Sequence, residues 1–291
     1  MPATPDWHPT RRLASLYSPS SERAVLDALF GIESEIVASL HGGLDHSVAH
    51  IRLQWWREEC ERTVSGRPVH PLTRTLMAAF SGGTAVPPGA NPPGHPQATT
   101  QLAGLSGFVD VAVWDLANAI FETRRELTAY CERWAAAMVV PAAAHATPDR
   151  TDSRHWLALG SAMHEIEMLA NLASEAQSGR LRWPLDEIDR AGVAPDGLAA
   201  TPWPAGLAPL VAERHEVLRC VLADSVASLD RQDQPALRGL LVWTALAWRR
   251  SVQAQRALPT ARLPERMDAL ADGWLAWRAA RRAMAGNFRL T

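Results

Sequence analysis

The chain has 291 residues, a hydrophobic share of 47% and a formal charge of −2, values that fit a globular protein with a sizeable core and exclude general disorder. So balanced a charge offers no electrostatic footprint for nucleic acid or an acidic substrate. All 29 Lys-or-Arg positions are arginine, which excludes a Schiff-base lysine and any lysine-dependent phosphate loop.

Helical periodicity dominates in chain order. Leu26, Leu29, Phe30, Ile36, Val37 and Leu40 recur at three- and four-residue steps and predict a helix over 21–40, with Ser20 or Ser21 as cap. Glu33 falls amid that stripe. It is either a buried carboxylate with a raised pKa or an edge residue reaching solvent or an arginine. A helix over 47–64 carries Arg52 and Arg57; a guanidinium matches phosphate geometry, so both are candidate clamps. For Arg57, an ion pair with Glu61 four residues on is the better reading. His70-Pro71 opens a short third helix. The stretch 81–97 is rich in Gly and Pro and reads as a mobile surface loop, not a domain boundary. Helices follow over 102–118, 124–140, 154–178, 207–229, 234–257 and 264–285, with a turn-rich connection at 184–204. No strand alternation and no internal repeat is present, so the expectation is a single all-α domain over 1–291. The 12 tryptophans, among them Trp243, Trp274 and Trp277, read as core packing or a partner surface.

Cys60, Cys131 and Cys220 stand far apart and form no CxxC pair, so they read as reduced thiols. The N-terminus lacks a secretory apolar stretch, and no window reaches the roughly 18 apolar residues that span a bilayer. The expectation is a cytoplasmic protein without a transmembrane segment, with peripheral membrane contact left open. The ten histidines form no Ser-His-Asp or HExxH arrangement, and no catalytic residue is assigned.

Several segments resemble, in order, the squalene/phytoene synthase family. They are 13–19 (LASLYSP) with Arg23 and Ala28-Leu29-Phe30; 51–58 (IRLQWWRE) followed by 66–71 (GRPVHP); 114–116 (WDL) with 127–131 (LTAYC); and 171–184 (NLASEAQSGRLRWP). The similarity runs over about 11–195, and the tryptophan–arginine run and the GR-x-x-x-P segment are its more specific parts. The resemblance implies an isoprenoid-synthase-like helical bundle with a central cavity. In working members two aspartate-rich helices face each other, hold Mg²⁺ through hard oxygen ligands, and through it bind prenyl diphosphates.

The chain departs from that pattern at the metal. The first motif's aspartate positions fall on Val37 and His41, and the second motif's on Asn171 and Glu175. Asn171 and Glu175 share a helix face with Glu167 and His164. The resemblance therefore implies a candidate Mg²⁺ half-site of Glu167, Asn171 and Glu175, with Arg180 and Arg52 as diphosphate contacts. A solvated face without ligand is the even alternative. A transition-metal site on His164 and Glu167 would need ligands from other helices. Glu35 matches a divergent branch that includes a mitochondrial complex I assembly factor and its bacterial relatives. The functional expectation is a synthase-like protein with degenerate motifs that does not catalyse head-to-head condensation, and instead binds an isoprenoid or acts as an assembly or interaction factor with a protein partner. The alternative is an active prenyltransferase condensing prenyl diphosphates.

Overall fold

A computed structural model describes residues 8–40, 46–81, 96–150, 152–258 and 269–290. Among them every regular element is helical: α1 Pro9–Tyr17, α2 Ser20–Ala38, α3 His46–Val64, α4 Pro71–Phe80, α5 Pro96–Gln101, α6 Gly107–Leu116, α7 Arg124–Ala146, α8 Arg154–Ala170, α9 Leu172–Gln177, α10 Leu185–Arg190, α11 Leu207–Ala227, α12 Arg238–Arg256 and α13 Ala269–Met284. A 3₁₀ turn at Pro195–Ala199 falls in the connection read as turn-rich. The all-α expectation holds. His41 and most of the 81–97 loop lie outside the described residues.

Three boundaries differ from the periodic reading, each for a local reason. The first helical turn comes earlier than 21, because Pro9 sits where a helix needs no N–H and Pro19 separates α1 from α2. Helix α7 runs through Pro141 to Ala146 instead of stopping at 140. Packing along α8 holds it, and Pro141 is itself buried. The helix expected over 154–178 breaks at Asn171, whose side-chain amide donates to the Glu167 carbonyl at 3.0 Å. An Asn side chain that competes for helix carbonyls is a recognised helix interrupter.

Helices α7 and α8 form the centre; α2 and α6 pack on α7, while α11 and α12 pack on α8. Their closest approach depends on Gly160: a Cβ there would meet the Ala135 and Val139 side chains at 2.7 and 2.8 Å. Helix α1 lies across α12 at Gly239, where a Cβ would come within 2.7 Å of the Ala14 carbonyl oxygen. One apolar core runs from Ala14 to Phe288. At its middle, Trp134 meets Trp243 edge-on at 5.8 Å, and Trp243 meets Phe30 at 5.1 Å. These contacts bring α2, α7 and α12 to one place, where Arg11 of α1 lies over Phe30 and Trp243 and His164 of α8 lies on Trp134.

Candidate functional site

Glu33 is a core residue, 7% exposed. Of the two sequence readings, burial and an arginine partner are both realised. Arg11 on α1 reaches across to form a two-point ion pair with it, the longer contact at 3.1 Å. The Trp134 indole N–H donates to the same carboxylate at 2.7 Å. Burial pushes the Glu33 pKa up, and Arg11 and Trp134 oppose that shift without cancelling it. The other side of the Arg11 guanidinium faces Glu167 on α8 at 3.8 Å. Burial would raise the Glu167 pKa, but Arg11, the neighbouring histidines and Arg250 together hold it below the usual range. One cation thus stands between a carboxylate of α2 and a carboxylate of α8.

His164, one turn before Glu167, stacks flat on Trp134 with ring centroids 4.4 Å apart and interplanar angle 9°. Neither ring nitrogen has a hydrogen-bond partner. Burial depresses its pKa to about 4, so the ring is neutral at pH 7. Beside this stack, Glu167 and Asn171 line an opening of about 40 Å³ with His8, Trp243 and Arg250.

A second cluster lies at the α9 end. Gly179 at φ +87° turns the chain out of the helix, and the Arg180 N–H closes on the Glu175 carbonyl at 2.9 Å. The arginine that this turn sends inward is Arg182, not Arg180. Arg182 is 8% exposed and pairs with Asp115 at 2.7 Å, while the Tyr130 hydroxyl donates to Asp115 at 2.9 Å. Glu175 faces both Arg180 and Arg182 at 3.8 Å. Its buried Oε2 has no hydrogen-bond partner. Burial, reinforced by Asp115, holds the Tyr130 pKa well above its ordinary value, so the phenol stays protonated.

A third carboxylate, Glu165, is enclosed at 2% exposure. Arg214 forks onto it at 2.6 and 2.7 Å, and Arg124 joins it at 2.5 Å while also holding Glu187.

The sequence candidates are thus divided. Glu167 sits with Arg11 and Asn171, and Glu175 with Arg180 and Arg182. Arg52 is on the surface of α3, lining a separate groove of about 270 Å³ with Glu35, Ser39 and Trp55. Glu35 is paired with His70 at 3.3 Å, and Val37 is 43% exposed. Arg57 reaches Asp110 at 2.8 Å, where the sequence favoured Glu61. Among the described residues no three His, Cys, Asp or Glu side chains form a group able to hold a metal ion. The donors implied for Mg²⁺ meet guanidinium groups instead: Glu167 meets Arg11, and Glu175 meets two arginines. Sequence reasoning missed Arg11, Arg182 and Glu165. For Arg182 a signal existed in its apolar neighbours Leu181 and Trp183, and for Glu165 in Met163 and Ile166.

A family model described as squalene/phytoene synthase matches residues 8–267. The fold is similar to that of a dehydrosqualene synthase crystallised in complex with ligand, with TM-score 0.69 at 15% identity, covering 94% of this chain and 90% of that one. No curated protein matches the chain.

Proposed function

The chain belongs to the squalene/phytoene synthase family, and from that premise we propose that it works by binding, without head-to-head prenyl condensation. The observation that carries this reading is the Arg11 guanidinium set between Glu33 and Glu167. Condensation of this kind relies on Mg²⁺ to neutralise a departing diphosphate, and Mg²⁺ demands near-octahedral oxygen ligation. A guanidinium fixed between the two helices sets one positive charge against two carboxylates, through a two-point contact to Glu33 and a 3.8 Å approach to Glu167, and itself offers a metal no ligand. The space agrees with the charge. An opening of about 40 Å³ beside Glu167 has room for little more than water, whereas ligand pockets run to about 300 Å³ and above. The occupant of the functional surface is then an isoprenoid held outside this stack or a protein partner, in keeping with the divergent branch that Glu35 resembles.

The test is incubation with farnesyl and geranylgeranyl diphosphate plus Mg²⁺, followed by product analysis. No presqualene, squalene or phytoene product is expected. Steady turnover that Glu175→Ala abolishes would overturn the proposal. It would promote a second reading, a prenyltransferase using the retained half, which the Glu175 oxygen left without a hydrogen bond beside Arg180 and Arg182 favours.

A further inference from the structure

Helix α13 packs one face on α12 and α1 and turns the other outward. The inner face is Asp272, Ala276, Ala279, Ala280 and Ala283. The outer face is unusual for a surface. Leu270, Trp274, Trp277 and Met284 are 87%, 56%, 46% and 62% exposed. Their spacing of four, three and seven residues puts them in a single stripe along the helix. Arg281 lies within the same stripe, and Arg278 and Arg282 flank it. Two of these arginines rest on the exposed indoles, Arg278 over Trp274 at 4.7 Å and Arg281 over Trp277 at 5.4 Å.

Behind the stripe, α12 and α13 enclose an open groove of about 510 Å³ lined by Arg249, Arg256, Arg278, Arg282 and Arg289, with Trp248 as its aromatic wall. With Arg281 that makes six arginines on this side against one acid, Asp272, which pairs with Arg249 at 2.9 Å. Arg238 and Arg250 of α12 lie elsewhere, on the Tyr17 carbonyl and beside Glu167. The intervening 259–268 adds two arginines, one glutamate and one aspartate, hence no net charge. In a chain whose total is −2, this is a concentrated positive region.

We propose that α13 docks the protein on the surface of an anionic phospholipid bilayer. Tryptophan with one apolar ring and one polar N–H settles at the headgroup boundary. Leu270 and Met284 extend the apolar ridge at its two ends, and the arginines meet lipid phosphates, which guanidinium binds with matched geometry. A helix with apolar and basic residues on one outward face lies in the interface plane without crossing it. No helix among the described residues is long and apolar enough to cross. A neutral protein groove would leave the arginines without counter-charge, and an aqueous anion alone would leave the indoles exposed. The bilayer surface satisfies both.

The full chain is tested by co-sedimentation with vesicles of phosphatidylcholine alone or mixed with phosphatidylglycerol, at low and high salt. Pelleting with the anionic vesicles only, weakened by salt, is expected. Trp274→Ala with Trp277→Ala lowers the partition coefficient at least about tenfold. Arg281→Ala with Arg282→Ala lowers it roughly 25-fold, about fivefold per surface arginine. These side chains are exposed, so circular dichroism and melting temperature stay near those of the parent. In the unmodified chain, lipids brominated on the acyl chain quench part of the tryptophan emission, a readout that needs no variant. The proposal is overturned if anionic vesicles fail to pellet the chain, if neutral vesicles do so equally, or if the tryptophan variant binds unchanged. It is equally overturned if Trp274 and Trp277 are covered by a second copy, seen as a dimer in solution that the same variant dissociates.

Discussion

Arg11→Met tests whether the guanidinium between α2 and α8 is what holds their charges together. The substitution keeps an apolar stem against Phe30 and Trp243 and removes the cation. Glu33 then has the Trp134 N–H as its remaining direct partner in that contact set. The pair is well enclosed, with side-chain exposures of 15% and 9%, so the relevant magnitude is that of a broken buried ion pair, about 3–5 kcal/mol. At about 2 °C per kcal/mol for a chain this long, the melting temperature falls by roughly 6–10 °C. The pH dependence gives the sharper test. Burial already holds the Glu33 carboxyl above its ordinary pKa, and losing Arg11 raises it further. A carboxyl that holds its proton more tightly when folded makes the folded state bind more protons between the two pKa values. Stability therefore falls as pH rises through that window. The deficit of Arg11→Met is largest near neutrality and shrinks on acidification toward the ordinary carboxylate range. Adding Glu33→Gln, which leaves Trp134 an acceptor, recovers the part of the loss that belongs to Glu33, while Glu167 still lacks Arg11. Differential scanning fluorimetry from pH 5 to 8 on the two single variants and the double variant measures all of this. A loss below about 1 kcal/mol, with no steeper pH slope than the parent, refutes the clamp.

Arg182→Ala strands Asp115 and lowers stability by about 2–4 kcal/mol in chemical denaturation, whereas Arg180→Ala stays within about 0.5 kcal/mol, since Arg180 is 41% exposed. His164, with a pKa depressed to about 4, binds its proton more weakly folded than unfolded, so it weakens the fold as pH drops from about 6.5 toward 4. His164→Phe preserves the stack on Trp134 and flattens that part of the acid-denaturation profile; an unchanged profile assigns the acid sensitivity to His215, whose pKa is also depressed to about 4. A non-hydrolysable farnesyl diphosphate analogue gives no thermal shift that depends on Mg²⁺, and chelation leaves the melting temperature unchanged. A magnesium-dependent shift removed by Glu175→Gln contradicts the proposed function.

Much of the fold was legible because helix periodicity is a local signal. The stripe through Leu26, Leu29 and Ile36 placed α2 and put Glu33 within it; all four side chains are buried. The boundaries failed where tertiary contacts override local preference, as when α8 supports α7 through Pro141. The site was half legible. Glu167, Asn171 and Glu175 could be grouped because they fall on consecutive turns of one stretch. Their partners could not. Arg11 lies 22 residues from Glu33, and Arg214 lies 49 residues from Glu165. No periodic pattern links such positions. Their immediate neighbours do not mark them either: Arg11 stands between Thr10 and Arg12, and Arg214 between Glu213 and His215.

If the first metal motif is lost, as proposed, the carboxylates nearby need another source of positive charge. In a two-sided magnesium site, carboxylates on both helices are neutralised by shared metal. Val37, which the resemblance sets at one such position, is 43% exposed on α2, while Glu167 and Glu175 lie on α8 and α9. Carboxylates left near a packed aromatic core without a cation would protonate or pull in water, and both loosen the packing. The chain supplies the charge from its own side chains: Arg11 from α1 for Glu33 and Glu167, and Arg182 for Asp115 and Glu175. Guanidinium suits this role because it stays charged when buried and distributes several donors in a plane. It neutralises in fixed geometry and cannot leave. On the proposed reading, the arginines that pair these carboxylates stand where diphosphate chemistry would need an exchangeable metal.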